Sequence, residues 1–111
     1  MMLNRQAALD LWRRVTVEQV AGDVPDLTAR QTAILMTIYL TDGPHTVRGL
    51  AAGLNLGKPA VTRALDTLEG LGLLRRTRDE DDRRSVLVHR TVKGAVHLSD
   101  FGDLIARRAA A

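Results

Sequence analysis

Between Thr46 and Gly72 the chain has room for two short helices and one tight turn, and that pairing limits the fold more than any other stretch. Thr46 suits the N-cap of a helix running from Val47 to about Leu54. Asn55-Leu56-Gly57 is a turn of three residues, and Lys58-Pro59 opens a second helix. Proline is tolerated in a first turn because the amide it lacks would have no partner there. Val61, Leu65 and Leu68 lie four and three apart on one face, and Gly72 suits the position just past the helix end. So short a turn holds the two helices at a steep crossing, which demands small or aliphatic residues at the contact. Ala51, Leu54, Leu56, Val61 and Leu65 supply them.

A hairpin follows. Leu73–Arg78 and Ser85–Thr91 read as strands joined by Asp79-Glu80-Asp81-Asp82-Arg83-Arg84, with Val86 and Val88 alternating against Leu87 and His89 at the period of a half-buried strand. Upstream, residues 3–21 read as a helix ended by Gly22-Asp23-Val24-Pro25. Ala8, Leu11, Trp12 and Val15 form its stripe, and Leu9, Val17 and Val20 widen it, as expected of a helix buried on two sides, one of them by a partner. Thr28-Ala29-Arg30-Gln31 is a capping box opening a helix with Ile34, Leu35, Ile38 and Tyr39 on its apolar face. Asp42-Gly43-Pro44 stops it, and a short extended piece surrounds His45. A last helix from about Val92 carries Ala95, Leu98, Phe101 and Ile105 on one side. With no repeat and no linker, residues 1–111 read as one domain, mainly α with a small β-hairpin (α+β): a winged helix-turn-helix. In it 46–72 form the helix-turn-helix, 73–91 the wing, and 3–22 and 92–109 the outer, dimerisation helices.

Composition narrows the function. Three aromatic residues leave the core to aliphatic side chains, and the absence of cysteine removes disulfides, thiolate nucleophiles and cysteine zinc sites. No apolar run approaches a membrane span and the first residues lack the pattern of a signal peptide, so a soluble cytoplasmic protein is expected. The net charge of +3 is local: residues 58–93 hold nine Lys/Arg against six Asp/Glu, while the segments on either side balance to zero. Such a concentration points to a polyanionic partner, and double-stranded DNA suits the fold, because its major groove admits one helix held proud of the body. Thr62 and Arg63 suit base edges; Thr46, Arg48 and Lys58 suit phosphates; Pro59 lies on the same outer face. At the hairpin tip Asp82 is expected to brace an arginine, so that Arg84 or Arg83 could enter the narrow, negative minor groove.

The stretches LTARQTAILMTIYL and TVRGLAAGLNLGKPAVTRALDTLEGLGLLRRTRDEDDRRSVLVHRTVKG resemble the multiple-antibiotic-resistance regulator (MarR) family of bacterial transcription factors, from about Leu27 to Gly94. The resemblance implies that the helix from Lys58 reads the major groove and that Asp82 and Arg84 form the wing's acid–arginine pair. It also implies a homodimer built from the first and last helices, with Leu11, Trp12, Val15, Leu98, Phe101 and Ile105 as interface candidates. Members usually run to about 140 residues with two C-terminal helices, so a smaller interface and a reduced ligand pocket are expected here; small-molecule sensing is not expected, and sensing by cysteine oxidation is excluded.

Enzymatic readings find little support. His45, His89 and His97 have no metal-ligand spacing, Asp79–Asp82 lacks the alternation of a calcium loop, and no glycine-rich phosphate loop follows a strand, so no metal or cofactor is implied. The competing reading is a winged helix used as a protein-interaction module, for example an antagonist that heterodimerises with another regulator.

Overall fold

In the computed structural model residues 2–110 are described. They contain α1 (Arg5–Ala21), α2 (Ala29–Leu40), β1 (His45–Thr46), α3 (Val47–Gly53), α4 (Lys58–Gly70), β2 (Leu74–Arg78), β3 (Val86–Arg90) and α5 (Val92–Ala110). Where the sequence reads as one domain without a linker, these elements divide into two compact units, residues 2–26 with 99–110, and Leu27–Leu98. The chain crosses between them twice, at Asp26/Leu27 in the loop before α2 and at Leu98/Ser99 inside α5, where a continuous helix leaves no break to mark it.

Unit Leu27–Leu98 has the finished core. Ile34, Leu35, Ile38, Val61, Leu65 and Leu68 are all 0% exposed, and Val47, Leu50, Leu73, Leu74 and Val88 close around them. The local signals that build it are in place. Thr28 Oγ1 accepts from the amide of Gln31 at 3.1 Å while Gln31 Oε1 accepts from the amide of Thr28 at 2.9 Å, a complete capping box. Thr46 Oγ1 accepts from the amide of Gly49 at 2.9 Å and caps α3. In the turn between α3 and α4, Asn55 takes φ 53°, a left-handed conformation that asparagine tolerates better than most residues. At the end of α4, Gly72 takes φ 78°, with Gly72 N donating to Glu69 O and Leu73 N to Leu68 O, so the chain turns straight into β2.

The sheet has order β1-β3-β2, all antiparallel. The expected hairpin is therefore one strand short: the extended piece at His45 pairs with β3, His45 opposite Val88 and Thr46 opposite Leu87. Two residues carry no periodicity, so sequence alone gives no reason to pair them. Tyr39 fastens this unit together. Its hydroxyl donates to Leu73 O at 2.6 Å and accepts from Thr91 N at 2.9 Å, and Thr91 Oγ1 in turn donates to Gly72 O and accepts from Gly94 N. Gly94 has to be glycine there, because a Cβ would collide with the Tyr39 hydroxyl and the Leu73 carbonyl.

The other unit pairs α1 with the second half of α5. Asn4 caps α1 by accepting from Ala7 N, a signal absent from the reading of the sequence. Val15, Phe101 and Leu104 are its buried apolar residues. Arg108 Nε donates to Glu18 Oε2 at 2.7 Å, and that hydrogen bond holds the Glu18 carboxyl below its usual pKa. On α5 the expected face is shifted: Ala95 is exposed, while Leu104, not singled out beforehand, is buried.

Candidate nucleic-acid interface

Helix α4 is amphipathic in the strict sense. Val61, Ala64, Leu65 and Leu68 are buried, and Lys58, Pro59, Arg63 and Asp66 stand on the exposed side with Thr62 half-buried beside them. Its N-cap is Gly57, which provides no side-chain cap, and Pro59 sits in the first turn. On α3, Arg48 is exposed. The Thr46 oxygen spends one lone pair on the α3 cap, and its hydroxyl proton remains able to donate outward.

The wing tip is folded rather than loose. Asp79 N donates to Ser85 O, Ser85 N to Asp82 O at 2.8 Å, and Asp81 N to Asp79 Oδ1. Arg78 Nη1 donates to Arg83 O at 2.6 Å. Asp82 Oδ1 accepts from Arg84 N at 3.1 Å and lies 3.7 Å from Arg84 Nε, so the acid does hold this arginine, backbone and side chain together. The Arg84 side chain is 88% exposed, and at that exposure the ion pair adds little to stability.

One residue the sequence reading passed over joins these parts. Arg76, on β2, donates from Nε to Glu69 Oε1 at 2.6 Å and from Nη2 to Asp66 Oδ1 at 2.7 Å, both acids on α4. Partial burial penalises the charged guanidinium, but the hydrogen bonds to Glu69 and Asp66 outweigh it and raise its pKa above the ordinary arginine value. A signal was present: Arg76 shares the strand parity of buried Leu74, and a charge on the inward side of a strand needs a partner.

The dimer candidates fare unequally. Trp12 is 50% exposed, and Leu11 and Ile105 are half-buried. Val15, at 0%, and Phe101, at 8%, are already covered by the chain's own fold, and Leu98 packs on the core of unit Leu27–Leu98. A helical stripe announces burial without saying against what. On α1, Leu9, Val17 and Val20 are also at least half exposed, as Trp12 is. Among the described residues no helix is long and apolar enough to cross a membrane.

A short helix, a four-residue turn, a second helix and a three-stranded sheet with a charged hairpin define a winged helix-turn-helix protein. Residues 27–86 match the MarR family, and the chain belongs to it. It is 37% identical over 78 residues to the uncharacterized HTH-type transcriptional regulator YkoM of Bacillus subtilis, covering 70% of this chain and 50% of YkoM, so it spans about half the length of that relative. Among solved structures, the transcriptional repressor CouR bound to a 23-mer DNA duplex is 29% identical, with TM-score 0.74 over 96% of this chain and 72% of CouR. The Staphylococcus aureus MepR–DNA complex, 21% identical, has the same fold at TM-score 0.76 over 93% of this chain and 82% of MepR.

Proposed function

We propose that this chain is a sequence-specific, double-stranded DNA-binding transcriptional regulator that acts as a homodimer, with α4 in the major groove and a wing arginine in the adjacent minor groove. The observation that carries this reading is the joint geometry of α4 and the wing. One helix presents Lys58, Thr62 and Arg63 away from its buried stripe, and the hairpin next to it holds Arg84 outward on an Asp82 brace. In their roles, Thr62 and Arg63 read base edges, Thr46, Arg48 and Lys58 grip phosphates, and Arg84, with Arg83 beside it, enters the minor groove. Membership of the MarR family and likeness to the DNA-bound repressor CouR support the partner. The exposed apolar residues of α1 support the dimer. A protein of this kind works in the cytoplasm and performs no catalysis.

The test is selection of random duplexes by the purified protein, followed by titration of the winner at two salt concentrations. The expected winner is an inverted repeat with half-sites about one helical turn apart, bound more weakly as salt rises. Salt-sensitive binding to every duplex alike would replace this reading with a non-specific binder. No binding at all, from folded protein, would favour a winged helix that acts through a protein partner.

A further inference from the structure

The stripe of α4 that carries Thr62 and Arg63 continues through Asp66 to Glu69, so the same face turns from basic to acidic within two helical turns. Two carboxylates there face an awkward choice. Left free, they would repel phosphates; buried alone, they would cost their hydration. Arg76 resolves it from another element, with Glu69 on its Nε at 2.6 Å and Asp66 on its Nη2 at 2.7 Å. The planar guanidinium makes those two bonds in fixed directions, which a lysine ammonium could not do. The same residue's backbone is locked in the sheet, where Arg76 stands opposite Val88 of the hairpin's second strand. The guanidinium side chain is only 22% exposed, which sets this contact apart from the open Asp82–Arg84 pair.

We infer that Arg76 is a positioning residue for DNA recognition: its fork fixes the wing to the reading helix and so sets the spacing between Arg63 in one groove and Arg84 in the next. The inference rests on the DNA-binding reading above. Arg76 need touch no base. It adds a directional polar tie to the apolar core that α4, β2 and β3 already share, and it neutralises the acids that would otherwise face the duplex.

Asp66→Asn with Glu69→Gln separates this role from bulk electrostatics. The pair of substitutions removes two negative charges from the DNA-facing helix, so simple attraction predicts tighter binding to every duplex. The clamp instead predicts that the ratio of selected to random-duplex affinity falls by about tenfold, the size of one base-specific contact, while random-duplex binding is unchanged or stronger. Arg76→Lys should fall between wild type and Arg76→Gln. A ratio that stays at the wild-type value in the Asp66/Glu69 double variant overturns the proposal. A second readout works without DNA. The chain has no native cysteine, so spin labels at Thr67→Cys on α4 and Glu80→Cys on the wing, in protein diluted with a large excess of unlabelled chain so that a dimer holds at most one labelled subunit, report the one distance within a subunit. A single narrow distribution is expected in the parent and a broadened one in the double variant; identical distributions overturn the clamp. If wild type selects no sequence, the DNA-binding reading fails, whereas the label distances still decide whether Arg76 couples wing to helix.

Discussion

The two units of this chain solve the burial problem differently. Unit Leu27–Leu98 closes its core from its own residues, with six aliphatic side chains of α2 and α4 at 0% exposure. The unit of α1 and the end of α5 buries Val15, Phe101 and Leu104 but leaves Leu9, Trp12, Val17 and Val20 between 50% and 71% exposed. The first has a closed core, with Leu40, Val92 and Val96 exposed outside it. The other has apolar surface still to cover, and a second copy of the same helix is the occupant the proposed dimer provides.

The largest effect that would sharpen this contrast is Leu65→Ala. It removes a fully buried side chain and should cost about 2–5 kcal/mol in denaturant unfolding. The residues proposed to contact DNA sit on this unit, and Arg63 is exposed, so Arg63→Ala should leave the fold intact and cost about 1–3 kcal/mol on the selected duplex with relaxed sequence preference. Equal loss on selected and random duplexes would remove its base-reading role. Arg84→Ala should weaken chiefly sites with a narrow, A/T-rich minor groove. In the other unit, Trp12→Asp should raise the dimer dissociation constant by at least about tenfold, seen by analytical ultracentrifugation, with little change in the unfolding of Leu27–Leu98. A variant as dimeric as wild type would break the comparison.

Two glycines of α5 give opposite signs on one helix. Gly94→Ala drives a methyl into the Tyr39 hydroxyl and the Leu73 carbonyl and should destabilise by about 1–3 kcal/mol. Gly102→Ala meets nothing within 4 Å and, inside a helix, should raise stability by about 0.5–1 kcal/mol. The smallest effect concerns Glu18, whose carboxyl is held below the 4.5 of a free glutamate by the hydrogen bond from Arg108. A depressed acid stabilises fully above its unfolded pKa and loses that contribution as pH falls through the folded value. The stability difference between wild type and Glu18→Gln should therefore be small at neutral pH and disappear on acidification below that range, as followed by thermal melts.

Much of this was legible because the signals are local. The Thr28–Gln31 capping box, the Thr46 cap and the glycine after α4 each act over a few residues, and each does in the fold what the sequence leads one to expect, while the alternation in β3 is blunted, with Val88 buried and Val86, Leu87 and His89 all half-buried. The pieces that escaped are long-range. Tyr39 bonds to Leu73 and Thr91, separations of 34 and 52 residues, and no spacing rule connects them. Arg76 reaches back seven and ten residues across a turn. On α1 and α5 the stripe was visible, but a stripe on an isolated helix does not distinguish the chain's own interior from a partner, and Val15 and Phe101 went to the interior.

Strand β3 has a consequence for how such a chain can change length. Val88 stands across from His45 on one side and from Arg76 on the other, and Leu87 across from Thr46 and Thr77. Five residues thus index both the start of α3 and the seat of the Arg76 fork. An inserted or deleted residue in the loop 79–85 disturbs the tip's own hydrogen bonds, the Asp82–Arg84 brace among them, and leaves the strand pairing in place. The same change within Val86–Arg90 would turn Val88 out of the core and move both neighbours by one notch at once. A change of wing length is therefore felt at the tip alone, while a change of wing register is felt through the core.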